Sequence, residues 1–182
     1  MELLNGRPGS TEGRLPREIR VYDFLDRIGI GYQRVDHPDN AAMTMEACKA
    51  VDEVLKTPMC KNLFLTNRQQ TVFYLLLMPG DKPFKTKELS SQINSARLSF
   101  AAPEHMLKYL DIEPGAVSLM GLMNDADRNV HLLVDEDLLQ EEFLCCHPCV
   151  NTASLRLKTA DAFGAFLKAV GHGYTPVHLI GY

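Results

Sequence analysis

A formal charge of -4 spread over 182 residues, 46% of them hydrophobic, describes a chain that can bury one substantial core but is too short for two ordinary domains. A single domain over 1–182 is therefore expected, and the acidic balance argues against a surface that wraps nucleic acid at large. No stretch approaches the ~20 unbroken apolar residues of a membrane span. The opening Met1-Glu2-Leu3-Leu4-Asn5-Gly6-Arg7 also lacks the apolar region of a secretion signal, so a cytoplasmic location without a membrane partner is expected.

Residues 1–15 are rich in Gly, Pro, Ser and Thr and read as a loose arm. Pro16 suits the first turn of a helix, Ile19, Tyr22, Phe24, Leu25 and Ile28 follow at helical spacing, and Gly29 and Gly31 end it. A short strand is expected over 32–35, then a turn at His37-Pro38-Asp39-Asn40. Thr44 is a candidate N-cap for a helix whose inward stripe is Met45, Cys48, Val51, Val54 and Leu55.

The stretch Thr57-Pro58-Met59-Cys60-Lys61-Asn62-Leu63-Phe64-Leu65-Thr66 reads as a strand buried on both faces, interrupted by one cation. With alternating side chains, Lys61 shares a face with Met59, Leu63 and Leu65, so its ammonium needs a partner, a route to water or a task. The polar break 67–70 returns the chain into Thr71-Val72-Phe73-Tyr74-Leu75-Leu76-Leu77-Met78, a hairpin signal that puts this pair in the middle of the sheet. A short helix over 86–93 and a brief strand over 98–101 follow. Pro103 starts a helix with Met106, Leu107 and Leu110 inward, stopped by Pro114 and Gly115.

Gly115-Ala116-Val117-Ser118-Leu119-Met120-Gly121 combines small residues with a hydroxyl, a pattern that lets another molecule approach the backbone, although the residues alone favour a plain tight connection into a strand. A strand is expected over 130–134, an acidic helix over 135–140, two strands around Pro148, and a closing helix over 159–170 ended by Gly171. Helices and hairpins intermix, which argues for a mixed α/β fold with a largely antiparallel sheet surrounded by helices.

The five cysteines, Cys48, Cys60, Cys145, Cys146 and Cys149, are odd in number and irregular in spacing, so reduced thiols are expected. Cys146 and Cys149 have the separation of a zinc pair with His147 between them. Neighbours on a strand point in opposite directions, however, and no second Cys or His pair stands at ligand spacing. Phosphate-loop, dinucleotide and Gly-x-Ser-x-Gly signatures are absent.

Six blocks, in order, resemble the YbaK/prolyl-tRNA-editing superfamily. They are Cys60-Lys61-Asn62-Leu63-Phe64-Leu65, the Leu77-Met78-Pro79-Gly80-Asp81-Lys82 turn, Leu98-Ser99-Phe100-Ala101-Ala102-Pro103-Glu104, Gly115-Ala116-Val117-Ser118, Gly121-Leu122-Met123-Asn124-Asp125 and His147-Pro148-Cys149-Val150-Asn151. The similarity spans about 16–171 and is strongest to the free-standing branch called ProXp-ala or PrdX. It implies a barrel-like, mostly antiparallel central sheet and a trans-editing deacylase that removes alanine mischarged onto proline tRNA, without metal or cofactor. Cysteinyl-tRNA(Pro) as substrate, or a non-catalytic module that binds an aminoacyl group or small metabolite, are the alternatives.

By position, the resemblance assigns Lys61 as the essential lysine at the aminoacyl ester or terminal phosphate, with Asn62 beside it. Gly115, Ala116, Val117 and Ser118 form the pocket loop, and His147 and Asn151 the second site segment. The partner is the acceptor end of tRNA, whose terminal ribose hydroxyl assists in place of a protein nucleophile. Lys82, Lys85 and Arg97 are further candidates for phosphate contacts. One departure stands out: Leu119 occupies the family's loop proline position, where it would loosen the loop or fill part of the pocket.

Overall fold

The computed structural model describes residues 1–37 and 44–182, and for Met45 the backbone alone. Pro38, Asp39 and Asn40 of the expected turn, and the side chain of Met45, lie outside the described residues. The elements are β1 (Leu4–Asn5), α1 (Pro16–Arg27), β2 (Gln33–Asp36), α2 (Met45–Leu55), β3 (Cys60–Thr66), β4 (Phe73–Pro79), α3 (Thr86–Gln92), β5 (Ser99–Phe100), α4 (Pro103–Leu110), β6 (Val130–Asp135), β7 (Phe143–Cys146) and β8 (Ala153–Lys158). A closing helix α5 over 159–170 and the short strand β9 (Thr175–Val177) complete them.

Local chemistry accounts for most of these boundaries. Pro16 opens α1, and Gly29 at φ +77° lets the chain turn away after it. The hydroxyl of Thr44 accepts from Ala47 N at 3.1 Å, capping α2. The β3–β4 hairpin forms as expected, antiparallel, with Lys61 opposite Met78. It lies at the centre of a five-stranded sheet ordered β5-β3-β4-β6-β9, while a second sheet is ordered β1-β2-β8-β7.

Among the described residues, five strand pairings are antiparallel, but β4–β6 and β6–β9 are parallel. The parallel pairings need long crossovers, and α3, β5 and α4 supply the one between β4 and β6. No closed barrel is found among the described residues. The two sheets touch through an isolated parallel bridge, Met59 to Cys145, and β1 and β5 are each two residues long, too short to continue the ladder around.

The larger apolar core fills the space between the sheets and takes Val21, Tyr22 and Leu25 from α1, Phe64 from β3, Leu75 and Leu77 from β4, Leu155 and Leu157 from β8 and Phe166 from α5. Leu65, Leu76, Met78, Leu89, Leu133 and Leu179 form a second core on the opposite face of the five-stranded sheet. That sheet is covered on both sides, so its strands read as near-continuous apolar runs.

Several expectations change. The arm over 1–15 is tied down: β1 adds to β2, and Arg14 bonds both Glu18 and Asp36 at 2.8 and 2.9 Å. Leu107 is 47% exposed rather than inward; Met106 and Leu110 are the buried residues of α4, with Tyr109 packed partly buried beside them. The acidic segment 135–140 condenses to a single 3-10 turn, Leu138–Gln140. Residues Leu119–Asn124 form a 3-10 helix instead of entering a strand directly, with the Ser118 hydroxyl accepting from Met120 N at 3.1 Å. Within α5, Ala162–Phe166 is a π-turn.

Candidate active site

Lys61 lies near the start of β3, where the strand runs alongside the Pro79-Gly80-Asp81 turn that ends β4. Here α2, β3, this turn and β7 enclose a cleft of about 670 Å³, lined by Lys61, Cys60, Met59, Asp52, Gly80 and Leu144 among others. The ammonium is half-buried and donates to the carbonyl of Lys82 at 2.5 Å. A cation emerging among apolar neighbours thus has both a partner and an opening. The cleft wall also carries Lys49 and the carboxylates of Asp52, Asp81, Asp137 and Glu141.

Asn62 points to the other face of β3, donating to the Cys60 carbonyl at 3.3 Å and to its sulfur at 3.4 Å. Its Oδ1 is buried without a hydrogen-bond partner. The Cys60 thiol donates to the Cys145 carbonyl at 3.2 Å, which ties the start of β3 to the strand leading to His147.

The pocket loop and the His147 segment come together. A Cβ placed on Gly115, whose φ is +91°, would sit 3.7 Å from Asn151 Nδ2. The Ser118 hydroxyl donates to the His147 carbonyl at 2.5 Å, and His147 Nδ1 donates to the Ala153 carbonyl at 2.9 Å. With these bonds Ser118 is fully buried and occupied in holding the loop. Ala116 and Asn151 line a separate pocket of about 320 Å³, walled by Arg17, Glu18, Pro114 and Thr152, while Val117 packs against the main core. The seven positions other than Lys61 therefore do not share its cleft wall; Lys61 alone faces that opening. Leu119 is fully buried in the main core, so it fills neither cavity.

Two sequence candidates for phosphate contact behave differently from a third. Lys85 and Arg97 are exposed, whereas Lys82 is buried and pairs with Asp135 and Asp137 at 2.7 and 2.8 Å. Arg17 and Arg20 are both turned toward Asp111. Of the three candidates, Lys85 and Arg97 therefore remain available to a phosphate and Lys82 does not.

Four buried thiols are not poised as nucleophiles. Desolvation pushes Cys60 up to about 11 and Cys149 up to about 12, and it raises Cys145 and Cys146 as well. Among the described residues no group of three or more His, Cys, Asp or Glu side chains is arranged to hold a metal ion.

His37 was not among the sequence candidates. It is 5% exposed, its Nε2 lies 3.1 Å from Ser154 Oγ, its Nδ1 has no partner, and its ring centroid is 6.4 Å from that of His147. The signal was available, since His37-Pro38 and His147-Pro148 are matching dipeptides. Burial holds both imidazoles below their ordinary value of 6.5; for His37 the neighbouring His147 adds to the lowering while Asp36 opposes it, and for His147 the Ala153 backbone bond opposes it. The unfolded chain therefore takes up these protons first, so their contribution to stability is complete above about pH 6.5 and is lost as pH falls toward the folded values. Melting curves between pH 7.5 and pH 5 should show a falling midpoint, flattened in His37→Gln; equal slopes in the two proteins would exclude His37 as a source.

A profile for the aminoacyl-tRNA editing domain matches residues 39–163. The chain belongs to the aminoacyl-tRNA editing domain family. The prolyl-tRNA editing protein ProX of Acetoanaerobium sticklandii is 30% identical to this editing domain over 155 residues, covering 85% of this chain and 93% of that protein. Prolyl-tRNA synthetase associated domain-containing protein 1 of Danio rerio is 30% identical over 181 residues, 98% of this chain and 95% of the other. A crystal structure proposed to be a trans-editing enzyme for prolyl tRNA synthetase has a TM-score of 0.67 and 20% identity, with 91% of this chain and 98% of that one covered. That last likeness is one of fold. Among the described residues, no helix of the editing domain is long and apolar enough to cross a membrane.

Proposed function

We propose that this editing domain hydrolyses the ester joining a misattached alanine to the terminal adenosine of proline tRNA. The observation that carries the reading is the Lys61 ammonium on the wall of an otherwise largely apolar cleft, in a chain whose relatives are named for prolyl-tRNA editing. An ester carbonyl docked there gains negative charge as water adds to it, and a fixed cation stabilises that charge more than it stabilises the ground state. Addition of water and departure of the ribose oxygen, which takes a proton, release free alanine and uncharged tRNA.

Attack needs a base, and burial raises the Cys60 and Cys145 thiols of the cleft wall, so neither of these two is a thiolate nucleophile near neutral pH. The neighbouring hydroxyl of the terminal ribose then orients the water. The carboxylates of Asp52 and Asp81 give the cleft a charge that suits the α-ammonium of an aminoacyl group. In this reading Lys61 is the one sequence candidate that meets the ester, while Ser118 and His147 hold the loop that carries Gly115, Ala116 and Val117 behind the cleft, and Asn62 and Asn151 act at a distance from it. Only the unstacked acceptor end enters, which fits a protein of net charge -4.

The test is a panel of alanyl, cysteinyl and seryl esters of proline tRNA, with and without chelator. Preferential release of alanine, insensitive to chelator, is the expected outcome. Faster release of cysteine would transfer the assignment to cysteinyl-tRNA(Pro), and binding of charged tRNA without release of any amino acid would replace the deacylase by a binding module.

A further inference from the structure

We propose that Lys82, together with the segment 175–182, is a positioning residue for Lys61; the inference rests on the deacylase reading and deepens it. The Lys82 ammonium uses all three of its donors, on Asp135 at 2.7 Å, Asp137 at 2.8 Å and the Leu179 carbonyl at 2.6 Å. Asp135 is fully buried and its second oxygen accepts from Asp137 N at 3.1 Å, which fixes the buried acceptor, while the Asp137 carboxylate reaches the ammonium from the solvent side.

The segment over 175–182 closes this arrangement. β9 pairs with β6, and Ile180 N and Gly181 N both reach the Glu88 carboxylate, at 3.1 and 3.2 Å. Gly181 lies against the stem of Lys82, where a Cβ would meet Lys82 Cγ at 2.5 Å and the Pro83 carbonyl at 3.1 Å. With φ at +80° as well, only glycine allows so close an approach.

What this clamp holds in place is the Lys82 main chain, whose carbonyl accepts the Lys61 ammonium at 2.5 Å. Lys82 follows directly on the Pro79-Gly80-Asp81 turn of the cleft, and its N donates back to the Pro79 carbonyl at 3.3 Å. Asp137 belongs to both structures, pairing with Lys82 and lining the cleft. A flexible four-carbon stem that ends on a fixed acceptor keeps its charge where the ester oxygen develops, which removes a reorganisation step from the reaction.

The experiment compares wild type with Lys82→Met by trace acetylation of amines in the folded protein, read peptide by peptide, alongside kcat and KM on the alanyl ester of proline tRNA. Acetylation at Lys61 should rise about tenfold while exposed Lys87 is unchanged, and kcat should fall about tenfold with KM nearly constant. A cooperatively melting Lys82→Met protein with wild-type labelling at Lys61 would overturn the proposal. If Lys82→Met does not fold, Asp137→Asn removes the more exposed of the two carboxylates, and about a threefold rise at Lys61 is expected, unchanged labelling again being fatal. Labelling reports on Lys61 whether or not the protein turns over its ester, so failure of the deacylase reading and failure of the clamp give different results.

Discussion

Lys61→Ala is expected to slow release of alanine from proline tRNA by about 100-fold or more, the scale seen when one donor to a developing oxyanion is removed. The same substitution should barely alter stability. The side chain is half-buried, its one hydrogen bond goes to a carbonyl beside the open cleft, and water can replace it there at a net cost of about 1 kcal/mol. Single-turnover hydrolysis and a thermal melt on the same preparation separate the two effects. Near-normal turnover by the folded variant would remove Lys61 from the chemistry, and a collapse of the melt would make it a structural residue instead. Lys61→Arg should rescue poorly, because a planar guanidinium cannot reproduce a compact ammonium on the same carbonyl.

Gly80→Ala carries the second large effect, this time on the fold. A Cβ on Gly80 would lie 2.3 Å from the Met59 carbonyl oxygen, a main-chain atom immediately before β3. Neither side of that contact is a flexible side chain, so the turn and the strand must move apart. Both residues line the cleft, which means the displacement is felt at its wall. A loss of about 2–3 kcal/mol is expected from overpacking of this kind, read as a fall in melting temperature of roughly 5–10 °C for a chain of this size. Gly164→Ala is the control, since nothing lies within 4 Å of its added carbon. Equal melting temperatures for the two variants would show that the Gly80 contact relaxes freely.

Local patterning carried a good part of the architecture. Pro16, the Thr44 cap and the apolar stripe of α1 are encoded within a few residues of the elements they define, and the β3–β4 hairpin is encoded by two apolar runs and the polar break between them. Short elements were different. β1 and β9 span two and three residues, with too little periodicity to register, and they exist because β2 and β6 offer them open edges. The π-turn of α5 and the 3-10 helix after Ser118 likewise arise from packing that no helical period announces.

The chemistry divided in the same way. The anomaly of Lys61 among apolar residues and the glycine loop could be read directly, because each is a departure from the pattern around it. Lys82 was read as a free cation for phosphate, and the structure gives it to Asp135 and Asp137. Those partners lie more than fifty residues along the chain, and a charge shows its solvation only when its neighbours in space are known.

By itself, then, the amino-acid order determined which segments could be helix or strand and which side chains were out of keeping with their surroundings. Tertiary structure decided how the sheets divide, which cations remain available, and that Lys61 opens on one cavity while Ala116 and Asn151 line another. The physical reason is range: backbone preference and side-chain alternation act between near neighbours, whereas burial, ion pairing and cavity shape depend on residues that only folding brings together.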